Sequence, residues 1–185
     1  MKVLVVSSKY HPEYSGSGLR AHNTYLRLKK QYNVTFEVIC SSVEFTGSKK
    51  YRYDEVLVTR IVSSVLRKIA HKFGTGPLAR ITNAAVFYSE ARSVTKLISA
   101  KDFDLIHVFG YSPATVAAIN WSRNKDIPLI LEIVNRGISP YQYLPGTSKF
   151  YPYDLTQQSV IVAISKYLAE VCKSEGLNDN VWTRP

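Results

Sequence analysis

The stretch that decides the fold is Lys2 to Lys30, KVLVVSSKYHPEYSGSGLRAHNTYLRLKK. Val3, Leu4, Val5 and Val6 form an unbroken apolar run, the pattern of a parallel strand covered on both faces. After a polar loop come Gly16, Ser17 and Gly18, then a segment with helical periodicity. Ser17 is placed to cap that helix. Backbone N–H groups at a helix start, with no side chain in the way, favour phosphate. The unit therefore predicts an approach to a phosphorylated ligand at the carboxyl end of the first strand, with Gly16, Ser17 and Gly18 facing it. A side chain at either glycine would push the backbone away from such a ligand.

Gly16-Ser17-Gly18-Leu19-Arg20-Ala21 matches the G-x-G-x-x-A dinucleotide fingerprint, but its placement argues against that reading. The fingerprint needs a tight turn directly after the strand. Here nine residues, Ser7 to Ser15, separate Val6 from Gly16. Glu37, the residue spaced for a ribose contact, lies inside the apolar run VTFEVIC.

Outward from this unit, apolar strands alternate with helices. Val34–Cys40 and Val56–Thr59 read as strands, with the polar stretch Ser41–Asp54 as a loop or excursion between them. Arg60–Phe73 has helical spacing, and Gly74-Thr75-Gly76-Pro77 breaks it before a long helix to about Ala100. Leu105–Phe109 (strand), Pro113–Asn124 (helix) and Pro128–Val134 (strand) follow, then an irregular stretch to about Tyr153. Val160–Ile164 (strand), Lys166–Glu175 (helix, stopped by Gly176) and Val181–Thr183 (strand) complete the series. The alternation predicts an α/β, doubly wound, Rossmann-like and mostly parallel sheet with helices on both faces.

With 185 residues, 45% hydrophobic and 12% aromatic, the chain is long and apolar enough for one domain with a real core. Cys40 and Cys172 read as reduced core thiols, which fits a cytoplasmic protein. No signal peptide pattern is present, and no segment reaches the ~18 apolar residues that span a bilayer. The net charge of +10 lies entirely in residues 1–100, where 16 Lys/Arg face 6 Asp/Glu; residues 101–185 hold 8 of each. Such a front half suits an anionic partner or simply keeps the protein soluble. The four histidines, His11, His22, His71 and His107, have no metal-ligand spacing, so no metal is expected.

Four blocks in order carry a family resemblance. They are strand one with Pro12, the Gly16–Gly18 loop and His22; FDLIHVFG (Phe103–Gly110); IPLILEIVNRG (Ile127–Gly137); and VIVAISKYLAEVCKSEGL (Val160–Leu177). Together they resemble the N-terminal domain of a group-1 (family 4) glycosyltransferase of the GT-B architecture. Two departures stand out. The family's His-x-His at the second block is His107-Val108-Phe109, and its Thr-x-His-Asp at the third is Glu132-Ile133-Val134-Asn135. A substrate-contacting histidine of the relatives is lost at both places, so the acceptor's identity does not carry over.

The resemblance implies a retaining transfer of a sugar from a nucleotide sugar to a glycan or lipid-linked acceptor, without a required metal or other cofactor. It also implies that the chain is the acceptor-side half of an enzyme. Val181–Pro185 resembles the approach to a linker, and the second domain would hold most nucleotide-sugar contacts. The half alone is then expected to be inactive. Residues near strand ends that would line the cleft are Tyr10, His107, Tyr111, Glu132, Asn135, Arg136, Ser165 and Lys166. Several have a plainer role as well: His107 as a hydrogen-bonded core residue, Glu132 as a buried paired acid, Ser165 as a helix cap, and the tyrosines as packing.

Arg60–Phe73 adds one more expectation. Ile61, Val65, Ile69 and Phe73 form a stripe, with Arg60, Arg67, Lys68 and Lys72 largely elsewhere on the wheel. Such a helix either packs its stripe on its own domain or lies in an anionic membrane interface, which would make the protein peripheral. Two other function classes stay open: a non-catalytic nucleotide or sugar-phosphate-binding domain of the same fold, and a basic nucleic-acid-binding module. The second lacks any recognised motif, so no nucleic-acid partner is expected.

Overall fold

The computed structural model describes residues 1–41, 49–62, 77–110, 112–134, 159–174 and 181–184. Eight strands form one sheet: β1 (Lys2–Ser7), β2 (Thr35–Ser41), β3 (Lys50–Tyr53), β4 (Val56–Ile61), β5 (Leu105–Phe109), β6 (Leu129–Ile133), β7 (Ser159–Ala163) and β8 (Val181–Thr183). Their order is β3-β4-β2-β1-β5-β6-β7-β8, and every pairing is parallel except β3 with β4. Four helices are described: α1 (Gly16–Tyr32), α2 (Pro77–Ser99), α3 (Pro113–Lys125) and α4 (Lys166–Ser174).

The apolar run of β1 explains the layering, because its alternate residues serve two cores. Val3 and Val5 pack with Tyr25 of α1, Val38 and Val58. Leu4 and Val6 pack on the other face with Ile98 of α2, Ile119 of α3 and Cys172 of α4. These three valines and the leucine of β1 are all fully buried. The chain winds from β1 outward through β2 and β4, then starts again at β5 on the other side of β1. The carboxyl ends of β1 and β5 therefore flank a topological switch point, where ligands enter doubly wound sheets.

Two expectations need correction. The stretch read as a loop before Asp54 contains β3, which closes a hairpin onto β4 through Asp54 and Glu55, both at positive φ (45° and 65°). Arg60 is not helical. It lies in β4, in register with Cys40 of β2, and the backbone ladder extends through Ile61 with Ser41. Ile61 begins the helical stripe read from sequence, but it is also the last inward residue of a strand alternating against β2. Arg67, Lys68 and Lys72 lie outside the described residues, as do the irregular stretch before Tyr153 and Gly176. No helix among the described residues is long and apolar enough to cross a membrane.

Candidate functional site

Helix α1 is capped by Ser15, not Ser17. Ser15 has extended backbone geometry, and its Oγ accepts the Gly18 N–H at 2.9 Å. Gly16, Ser17 and Gly18 thus form the first turn of the helix, and one of the three N–H donors is already taken. The two glycines also differ in what surrounds them. A Cβ at Gly16 would meet nothing within 4 Å, whereas one at Gly18 would lie 2.6 Å from the Lys9 carbonyl oxygen and 3.2 Å from Tyr10 Cα. Gly18 lets the helix pack against the preceding loop, while Gly16 presents open backbone outward.

This first turn sits at the switch point. Ser17 Oγ lies 3.4 Å from Ser8 Oγ, just beyond β1, and 3.3 Å from Ser15 Oγ. The Ser8 N–H donates to the carbonyl of Phe109, the last residue of β5. Gly110 follows at φ +80°, and a Cβ there would meet Ser8 Oγ at 3.2 Å. The crevice between β1 and β5 is therefore lined by small residues and hydroxyls beneath a helix start, a setting suited to an oxyanion.

A charged cluster lies one turn further along α1. Glu132, on β6, is fully buried, yet its Oε1 pairs with Arg20 Nε and its Oε2 with Arg184 Nη1, each at 3.2 Å. Arg184 Nη2 also donates to Thr24 Oγ1 at 2.8 Å, which lays this side chain along the Gly16–Arg20–Thr24 stripe of α1. Burial pushes the Glu132 carboxyl above its ordinary range, and the two guanidinium groups pull it back. Behind it sits His107 of β5, whose Nδ1 is 2.8 Å from the Tyr25 hydroxyl. With that hydroxyl donating, the ring proton is on Nε2, which faces Glu132 Oε2 at 3.8 Å without a hydrogen bond. Burial, then Arg184, lowers the His107 pKa to about 3, so the ring is neutral at physiological pH.

A second polar cluster ties the loop after β1 to the β3–β4 hairpin. The Tyr10 hydroxyl donates to His22 Nδ1 at 2.7 Å, and His22 Nε2–H donates to Asp54 at 3.0 Å. His11 stacks on Tyr53, and Tyr51 donates to the His11 carbonyl. Arg60 is buried there, donating to the Tyr51 hydroxyl at 3.2 Å. Burial of neighbouring Cys40 pushes its thiol up to about 12. Cys40 and Cys172 are both buried as thiols.

The structure thus distributes the residues singled out in the sequence. Gly16 and Ser17 meet at the crevice. Glu132 and His107 come together beneath it, buried. Tyr10 is 1% exposed and packs in the core, and Ser165 accepts the Leu168 N–H at 3.2 Å as the cap of α4. Lys166 opens that helix. Tyr111, Asn135 and Arg136 lie outside the described residues. Glu37 is held by Lys2 and Lys101 at the amino edge of the sheet, far from the crevice and unsuited to a ribose. Sequence reading missed Arg20 and Arg184; their only sequence signal was charge, since nothing local links Glu132 to residues so distant. Among the described residues, no three His, Cys, Asp or Glu side chains are grouped to hold a metal ion.

Solved structures share this fold. The chain matches UDP-GlcNAc 2-epimerase from Neisseria meningitidis bound to UDP-GlcNAc with a TM-score of 0.58 and 16% identity, covering 99% of this chain and 45% of that one. It matches the trehalose-6-phosphate protein from E. coli bound with UDP-2-fluoro glucose with a TM-score of 0.60 and 11% identity, over 100% and 48%. The UDP-forming α,α-trehalose-phosphate synthase from Burkholderia vietnamiensis gives 0.53 and 10%, over 95% and 42%. The chain therefore spans less than half the length of these proteins. What it shares with them is the doubly wound, Rossmann-like half of the GT-B architecture. No protein-family model and no curated protein sequence matches the chain.

Proposed function

We propose that this chain is the acceptor-side half of a nucleotide-sugar-dependent glycosyltransferase that acts with retention of configuration on a glycan or lipid-linked acceptor. The observation that carries the reading is the first turn of α1, delivered with open backbone at Gly16 to the β1–β5 switch point. The structures sharing this fold with bound UDP-GlcNAc or UDP-2-fluoro glucose support it, as does the motif order in the sequence. In the transfer, the bond between the sugar's anomeric carbon and the diphosphate oxygen breaks while the acceptor hydroxyl forms a new one. Negative charge grows on the departing diphosphate, so preorganised N–H donors and cations placed there stabilise the transition state. Gly16 and Ser17 supply such donors from this half, and a second domain would supply the rest.

Epimerisation of a nucleotide sugar is the second reading, raised by the fold match to 2-epimerases. It needs an acid–base pair facing the sugar ring. Glu132 and His107 are too deeply buried for that role, and the described crevice offers hydroxyls and backbone instead. The test is to incubate the full-length protein with labelled nucleotide sugars and a panel of glycan and lipid acceptors. Transfer from one donor class is expected, falling at least about tenfold in Gly16→Val with circular dichroism unchanged. Absence of transfer from every donor, or wild-type rates in Gly16→Val, would overturn the proposal.

A further inference from the structure

We propose that Arg20 and Arg184 form a two-pronged diphosphate clamp beside the first turn of α1, with Glu132 as the buried brace that holds them. The inference rests on the reading above and identifies which side chains of this half meet the donor's phosphates. Three elements, α1, β5 and β6, and the residue following β8 converge to build the feature. Glu132 is fully buried, while each arginine side chain keeps about a third of its surface open (33%). A carboxylate is taken out of water only where cations and hydrogen bonds compensate it. Here one buried carboxylate accepts a hydrogen bond from Arg184 and ion-pairs with Arg20 Nε, leaving about a third of each arginine side chain to solvent.

The charge balance shows what the cluster lacks. Two guanidinium cations share one carboxylate, and no other carboxylate pairs with either among the described residues. Among the described residues the cluster therefore carries one more positive charge than negative, beside a neutral His107 that adds none. Arg20 lies one helical turn from Gly16, on the same stripe, so the net charge adjoins the open helix start. The planar donor fork of arginine matches phosphate oxygens in pairs. Two such forks fixed on opposite oxygens of one carboxylate suit two linked phosphates better than one. A single surface arginine would bind phosphate weakly because its side chain must be ordered on binding. The buried brace orders both side chains in part, and the Thr24 bond orders Arg184 further.

The same diphosphate chemistry could reach the clamp on a nucleotide sugar or on a prenyl diphosphate acceptor, so the experiment uses both. The full-length protein is treated with a dicarbonyl reagent that modifies exposed arginines, alone and with inorganic pyrophosphate, a nucleotide-sugar panel or a short-chain prenyl diphosphate. Modification at each arginine is read by mass spectrometry. Pyrophosphate is expected to protect Arg20 and Arg184 together while leaving the exposed Arg92 of α2 reactive. Stronger protection by a nucleotide sugar assigns the clamp to the donor; stronger protection by the prenyl compound assigns it to the acceptor. Undiminished modification of both arginines at saturating pyrophosphate, nucleotide sugar and prenyl diphosphate would overturn the clamp.

Variants give a second readout. Arg20→Gln is expected to weaken pyrophosphate binding at least about tenfold, with Arg20→Lys recovering part of the loss because charge returns without the fork. Wild-type affinity in folded Arg20→Gln would also overturn the clamp. The two proposals fail separately. Sugar transfer with no arginine protection removes the clamp and leaves the glycosyltransferase, whereas protection without transfer does the reverse.

Discussion

At the scale of single residues, the two glycines of the first turn separate a packing role from a surface role. In the sequence they looked equivalent, because spacing cannot show which one faces the loop. An added methyl at Gly18 meets the Lys9 carbonyl at 2.6 Å, and backbone cannot swing away as a side-chain end can. Gly18→Ala is expected to lose about 1–3 kcal/mol by overpacking, whereas Gly16→Ala should stay within about 0.5 kcal/mol of wild type. Thermal melts of the two variants check this, and equal losses would contradict it. His107 makes a second residue-scale test. Its pKa falls from the ordinary 6.5 to about 3 in the fold, so the unfolded chain binds the extra proton between those values. The stability this contributes is present above pH 6.5 and is lost as pH falls toward 3. Urea denaturation across that range should show wild type weakening more steeply than His107→Gln; parallel curves would contradict the assignment. The cap is a smaller lesson of the same kind. Ser15 and Ser17 are both good capping residues, and only the extended backbone at Ser15 decides between them.

At the scale of elements, strands β1, β5, β6 and β7 were legible because buried parallel strands read as apolar runs bounded by polar turns. The β3–β4 hairpin was not. Lys50-Tyr51-Arg52-Tyr53 is an edge strand whose alternate residues face solvent, and its turn lacks the usual Asn-Gly or Asp-Gly signal. A two-residue turn with positive φ at both positions instead carries Asp54 and Glu55. Asp54 is kept there by its bond to His22, while the Glu55 side chain makes an exposed pair with Lys29. Glu55→Gly removes the left-handed strain of an L-residue, offset in part by glycine's larger entropy loss. It should therefore raise stability by about 0.5–1 kcal/mol, seen as a higher denaturant midpoint with unchanged slope. A lower midpoint would mean that Glu55 supports the hairpin through contacts beyond its backbone. Arg60 was read as helical because Ile61 serves two periodicities at once, and pairing with β2 decided between them.

At the scale of the whole molecule, alternation foretold the doubly wound sheet, but not the strand order that places the crevice between β1 and β5. Order depends on which strands find each other across the core, and no local pattern encodes it. The same holds for the Arg20–Glu132–Arg184 cluster, which joins Glu132 to an arginine 112 positions before it and another 52 positions after it. The proposed function requires the carboxyl edge at the start of α1 to receive a nucleotide sugar. Hydrogen exchange of the full-length protein, with and without its nucleotide sugar, maps that surface without any mutation. Slowed exchange is expected to concentrate at the first turn of α1, Gly16 to Arg20, and at Gly110. Protection elsewhere with none at those amides, or protection there by a nicotinamide dinucleotide instead, would contradict it.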